Sequence, residues 1–461
     1  MLNRRKKIVH IVHCIDTEGP LYESFSAKFE RIKDVFNINI KPTAKNLKKL
    51  KLKQIPLNGK EERIATLLSS HLINYNDTWK KIDKMLKRIF SKNFRNNDKD
   101  SFGKSWVFNW HCLDHVGYKY NPRRRTFGYH RIFDYYTKAL KKFNNHNDKI
   151  HWHFHPMSTY NEAHRCATSY VNSPELYQIL CRRIIERNWF PSVYRAGFQT
   201  ERPDSNLFLE QWIPFDITNM STEDTSDIDN NIDFKFGRSG DWRRAPKDWS
   251  IYHPSHDDYQ SKGNCRRWIG RALNVMNRIG SINQKEMDKA FYQAKKNGPT
   301  LVGIASHDFR DIEKEVNFLR KMIKNSSKKF KDVKFKYSGA KEAFVELVKS
   351  KENINKTARP LRIKVKYNKK SKTDIPNLVV KLEKGSVFGP QPFLAIKTKS
   401  GKFIHDNFDF SIKKGVWHYA FHGDTLPIED VLKLGIAAND RFGNTSIKRL
   451  DFKNPKKPKL Y

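Results

Sequence analysis

"GPTLVGIASHDF", residues 298–309, is the stretch whose reading decides the fold. It is the clearest strand in the chain, and it ends in His307 and Asp308. A helix is expected from Glu313 to about Asn325 directly after it. Reading upstream, the same grammar recurs. Residues 8–16 form an apolar strand that runs into "DTEGP" (16–20). "SWVFNWHCLDH" (105–115) reads as a strand opening into a loop, and "GYHRIFDYYTKALKKF" (128–143) as an amphipathic helix. "KIHWHFHP" (149–156) is a strand closed by Pro156, followed by a helix near 174–187. "PSVYRAGF" (191–198) is a strand with a glycine break, "SNLFLEQW" a helix and "PFDITNMS" a strand. Strand, loop and helix repeat, and polar residues collect at the strand C-termini. That is the pattern of an α/β barrel or open α/β sheet, whose sites sit at those ends.

Between the first two strands, residues 25–100 read as an insertion. "KPTAKNLKKLKLKQ" (41–54) is a lysine-rich surface loop or helix, and 61–90 has helical apolar spacing. From about residue 361 the pattern changes to short alternating strands separated by turn residues, as in "LRIKVKY" and "NLVVKLE". A small all-β, sandwich-like domain is expected over 361–455, joined to a barrel domain of residues 1–350 by a linker at 351–360. The tail "NPKKPKLY" is expected to be loose.

With 461 residues the chain is too long for one ordinary core, and 38% hydrophobic with 13% aromatic content supports packed domains rather than disorder. No apolar run approaches the ~20 residues a membrane helix requires. The basic, apolar N-terminus lacks a small-residue cleavage site, so a cytoplasmic location is expected. The five cysteines are scattered without CxxC pairing, which indicates neither a disulfide framework nor a cysteine zinc site. The net charge of +40 favours anions such as acidic glycans or, weakly, an anionic membrane surface. The basic residues are spread along the whole chain, however, and no specific nucleic-acid motif is present.

Four strand ends carry chemistry. Asp16 and Glu18 face one way on an extended segment. His151, His153 and His155 share one face of another strand. Arg195 closes a third and His307 a fourth. Each alone has a structural explanation: a helix cap, a solvated edge, an ordinary ion pair, a satisfied imidazole. Together at four apolar strand ends they imply partners, because each is costly there alone.

The arrangement resembles the polysaccharide deacetylases of the carbohydrate esterase type. The resemblance rests on short motifs in order over about residues 5–345: "DTEGP", "IHWHFHP", "YRAGF" and "LVGIASHDF". It implies a distorted (β/α) barrel and one divalent metal, with Zn2+ the expected ion. The implied ligands are Glu18, His153 and His155, with His151 a rival. Asp16 is implied as the base, Arg195 as its orienting partner and His307 as the acid. Asp114, His115 and Asp308 are expected to contact substrate, and Trp106, Trp110, Trp152 and Phe198 are candidates for stacking on sugar rings. Strand alternation, though, points Trp152 away from the histidines. The implied reaction removes an acetyl group from an N-acetylated sugar, and a lipid- or nucleotide-linked precursor is the expected substrate. The chain departs from the usual pattern in separating its two acids by one residue and in the spacing of its histidines. Two other readings remain: a two-metal amidohydrolase-like enzyme, and a non-catalytic protein that binds anionic glycans or nucleic acid.

Overall fold

Ile8–Thr17, buried at every position, forms the strand β1 around which the barrel closes. The computed structural model describes residues 6–70, 72, 74–119, 121, 125–156, 161, 170–224, 239–277, 280–354, 360–369, 375–454 and 458–461. After β1 come β2 (Phe108–Leu113), β3 (Lys149–Phe154), β4 (Val193–Ala196), β5 (Phe215–Asn219), β6 (Trp268–Asn274) and β7 (Thr300–His307), all parallel. β7 pairs back onto β1, and β1 also pairs with β2, so the seven strands form a closed barrel. An eighth strand, β8 (Lys334–Tyr337), pairs with Ile8–Ile11 of β1, while β2 takes His13–Thr17. One edge of the first strand is thus shared between two neighbours along its length.

The expected insertion is helical. α1 (Phe25–Phe36), α2 (Ala44–Lys51) and α3 (Glu61–Leu67) gather their own apolar cluster around Phe29, Ile32, Leu50 and Ile64. α4 (Trp79–Ile89) instead packs Ile82, Met85, Leu86 and Ile89 into the barrel's outer core, followed by the short α5 (Lys92–Asn96). The barrel is covered further by α6 (Arg131–Lys142), α7 (Glu175–Arg187), α8 (Pro203–Trp212), α9 (Gln284–Asn297) and α10 (Ile312–Lys329). The last helix, α11 (Ala340–Lys351), sets Ala340, Ala343, Phe344 and Leu347 against Val12, Phe215 and Trp268. Among the described residues, no helix is long and apolar enough to cross a membrane.

Residues 355–359 of the expected linker lie outside the described residues. Beyond it stand two antiparallel sheets. One orders β13 (Asp409–Phe410), β14 (Val416–Ala420), β10 (Asn377–Lys384) and β9 (Arg362–Asn368). The other orders β12 (Phe403–Asp406), β11 (Phe393–Thr398), β15 (Val431–Asn439), β16 (Thr445–Asp451) and β17 (Lys459–Leu460). Leu378, Val380, Leu394, Ile396, Leu434 and Ile436 form the core between them. The tail is not loose where it is described: Lys459 and Leu460 pair with Asp451 and Leu450.

This second domain is seated on the barrel. Leu394 and Ile396 of β11 face the sandwich core, while Phe393 and Ala395 face Ile184, Phe190 and Trp212 of the barrel. Gly435 of β15 lies so close to α7 that an added Cβ would meet Ile184 Cγ2 at 2.5 Å. Asn439 donates from Nδ2 to the carbonyls of Pro191 and Trp212, at 2.7 and 2.9 Å.

Candidate metal centre

Strand register brings distant residues together at one end of the barrel. Asp16 lies opposite His307 across the β1–β7 pair, and His153 opposite Arg195 across β3–β4. All four sit at or near the C-terminal ends of parallel strands, where a (β/α) barrel collects its functional groups.

Glu18, His153 and His155 offer donor atoms that lie within 4.8 Å of one another. His155 Nε2 is 3.0 Å from His153 Nε2 and 3.8 Å from Glu18 Oε1. A tetrahedral zinc site with bonds of about 2.0–2.2 Å needs donors roughly 3.3–3.5 Å apart, and these values bracket that separation. The tautomer also fits. His153 Nδ1 is 2.9 Å from the Arg195 carbonyl, which can only accept, so Nδ1 carries a proton. Nε2 is then free to present a lone pair to the group. The three donors fit a divalent cation.

Glu18 is shaped for this task by its neighbours. Burial alone would raise its carboxyl pKa. Arg125, ion-paired to Oε2, and the imidazoles of His155, His307 and His153 override burial and hold the carboxyl well below its ordinary range. Oε1 is left facing His155 and, at 3.6 Å, His307 Nε2. The turn beyond Glu18 needs Gly19, whose φ is 77° and whose hydrogen atoms sit close against Phe127, Ile132 and Trp79. Across the mouth, the backbone of Gly197 approaches the His155 ring so closely that a Cβ would lie 2.0 Å from it. The next residue, Phe198, takes a left-handed φ of 53° and lays its ring 4.7 Å from that of His155. A strained non-glycine backbone at such a point is characteristic of functional sites.

Asp16 is buried and oriented by Arg195, whose Nε donates to both carboxylate oxygens at 2.9 and 3.1 Å. Arg195 Nη1 is itself held by the Ile217 carbonyl. Asp16 Oδ1 is 3.8 Å from His153 Nδ1, and Oδ2 is 3.9 Å from His307 Nε2. Burial, then the charge of Arg310, pushes His307 well below the usual histidine pKa, so its imidazole rests neutral.

The remaining expectations need correction. His151 shares the face of His153 but lies two residues, about 6.6 Å, deeper along the strand. It is 3.1 Å from Asn109 Oδ1 and packs on His111, and it is not among the three converging donors. Asp114, His115 and Asp308 are buried supports rather than a substrate-lining surface. Arg183 donates to Asp114 at 2.7 Å, and His115 Nε2 donates to the Glu18 carbonyl at 2.8 Å. Asp308 accepts from the backbone N–H groups of Glu18 and Gly19 and from Tyr136 Oη, so both its oxygens fix the loop that carries Glu18. Trp106, Trp110 and Trp152 are buried in apolar clusters away from the mouth, Trp152 as strand alternation requires; only Phe198 stands at the site.

Arg125 was not legible in the sequence. It stands in "NPRRRTF", among 89 basic residues, and no spacing sets it apart. The same holds for Asn76, whose Nδ2 donates to the carbonyls of Asp308 and Arg310 and ties the insertion to the end of β7. No family model matches the chain, and no curated protein matches it.

Proposed function

We propose that this chain is a metal-dependent hydrolase that removes an acetyl group from an N-acetylated sugar or polysaccharide precursor, as its motif order, resembling that of the polysaccharide deacetylases, implies. The observation that carries this reading is that a separate acid, Asp16, and a separate imidazole, His307, lie beside a Glu–His–His donor set. A purely structural metal site has no use for either group.

Glu18, His153 and His155 would hold the ion, which we take to be Zn2+. A divalent ion there supplies Lewis acidity, acidifying water and polarising a carbonyl. The chain's own groups do the rest. Asp16, aimed by Arg195 Nε, accepts the proton of the attacking water. His307 rests neutral, so the proton it gives to the departing amine must reach it during turnover. Asp16, 3.9 Å away, is the source that balances: one proton leaves water and one arrives on the amine nitrogen. The products are acetate and a free amino sugar. Phe198 offers an apolar face at the mouth, and the excess of basic residues suits an anionic, nucleotide- or lipid-linked substrate.

The test is acetate release from a panel of N-acetylated sugars, with and without a chelator. Chelation should abolish release and added Zn2+ restore it. Asp16→Asn should reduce turnover by at least ~100-fold while the protein still carries its metal. Near wild-type turnover in that variant would rule Asp16 out as the base, and chelator-insensitive release would rule out the metal.

A further inference from the structure

A second group of donors lies far along the chain from the first, at residues to which sequence reading gave no chemical role. Glu210 is in the last turn of α8. His256 and Cys265 lie in the loop that leads into β6. α8 feeds β5 and the loop feeds β6, so this group belongs to the end of the barrel where strands begin, opposite the mouth. His256 Nδ1 is 2.8 Å from Glu210 Oε2, and Cys265 Sγ is 3.4 Å from that same Nδ1 and 3.5 Å from that same Oε2.

The sharing of one ring nitrogen is decisive. In a nucleophile–histidine–acid relay the imidazole uses its two nitrogens, one for each partner. Here thiol and carboxylate both face Nδ1, so the ring cannot pass a proton between them. Three unlike donor atoms instead converge on one point. A tetrahedral zinc ion bound by S, N and O needs separations of about 3.3–3.6 Å; two of the three contacts meet this, and the third must open by ~0.5 Å. His256, with a side chain 53% exposed, can make that adjustment, while Glu210 and Cys265 are buried and fixed.

The surroundings hold the donors ready. Asn206 donates to the carbonyls of Ser255 and His256, and its own oxygen is gripped by Arg267. Cys265 N donates to the Pro254 carbonyl, and Gly263 packs against Ser255 with no room for a Cβ. The backbone N–H of Arg266 occupies Glu210 Oε1, which turns Oε2 towards the imidazole and thiol. Arg266 Nη1, 3.5 Å from Oε1, is a nearby positive charge that weakens affinity without blocking the donors.

We propose that Cys265, His256 and Glu210 bind a thiophilic divalent cation of the zinc class, with water completing the coordination on the exposed side, and that this ion fastens the loop before β6 to α8. Binding expels the Cys265 thiol proton to solvent and moves the imidazole proton to Nε2. Only the thiolate is a metal ligand, so metal uptake and proton release are coupled. None of these residues belongs to the barrel mouth, and the proposal stands whether or not the chain is a deacetylase.

The test uses the whole chain, stripped of metal and titrated with Co2+, as wild type and as His155→Ala, which weakens the first site. Among the described residues, the donors that converge at the mouth are oxygen and nitrogen, so a thiolate-to-cobalt charge-transfer band that is lost in Cys265→Ser reports the second group. The band should saturate in both proteins, vanish in Cys265→Ser, and need at least about tenfold more Co2+ in His256→Ala. His256 is exposed, so the last variant should retain the wild-type circular dichroism. Absence of the band in wild type, or a titration unmoved by His256→Ala, overturns the proposal.

Discussion

Arg125 occupies one oxygen of the carboxylate that would bind the metal, and its effect on that carboxylate has a definite sign. The guanidinium keeps Glu18 deprotonated despite its burial. Removing it leaves burial unopposed by the largest charge, so the folded pKa rises and protons compete with metal at higher pH. Arg125→Gln should therefore move the pH of half-maximal metal loss upward, read by elemental analysis across a pH series; an unchanged midpoint would mean that the imidazoles alone set the carboxyl. The buried histidines give a second effect. Burial lowers His13 and His151 to about 3, and burial with Lys336 does the same for His10. The unfolded forms titrate near 6.5. Between about 3 and 6.5 the unfolded chain binds more protons, so stability from these residues is present at neutral pH and lost as pH falls through that window. Asp114, Asp308 and Glu315, raised by burial to about 7, act in the opposite direction. The measurement is thus differential: His13→Asn should lower the midpoint of acid unfolding relative to wild type, and an equal or higher midpoint would refute the assignment.

At the scale of elements, a buried ion pair fixes the start of β2 and β3. Arg95, from the short α5, donates to both oxygens of Asp148 at 2.7 Å and to the carbonyls of Ile89 and Trp106. Asp148 also accepts from Phe108 N and Trp110 Nε1. Asp148→Ala strands a buried guanidinium and should cost about 3–5 kcal/mol in urea unfolding, whereas a loss under about 1 kcal/mol would show that solvent reaches Arg95. What the sequence revealed follows from the same physics. β1, β3 and β7 are apolar runs that end abruptly in charged or imidazole side chains, and that contrast is visible in one dimension. β6 is not, because "WIGRALN" carries Arg271, neutralised by Glu286 from a helix fifteen positions on, and such pairing exists only after folding. Likewise His151 and His153 are indistinguishable by periodicity; depth in the barrel separates them. Asp308 reads as a mouth residue until Tyr136 and two backbone N–H groups take up its oxygens. The mixed Cys–His–Glu group escaped notice because its members come from a helix and a loop more than forty residues apart, with no repeated spacing.

The whole molecule depends on how the sandwich sits on α7. Gly435→Ala places a methyl 2.5 Å from Ile184 Cγ2 and 3.2 Å from Ile185 Cγ1, so strand and helix must part. A loss of about 1–3 kcal/mol is expected, seen as a lowered melting temperature; no change would mean that the contact is slack. A chain ending at residue 354 should bare the apolar side of α7 and aggregate, and a monodisperse truncated barrel with full metal uptake would contradict the tight seating. The reason lies in β11, which is apolar on both sides: Phe393 and Ala395 towards one partner, Leu394 and Ile396 towards the other. Such a strand is a party wall. Neither house can be sold separately: transplanted, the sandwich would carry a sticky outer flank into its new host, and the barrel left behind would have lost the cladding over the helix that leads to Arg195.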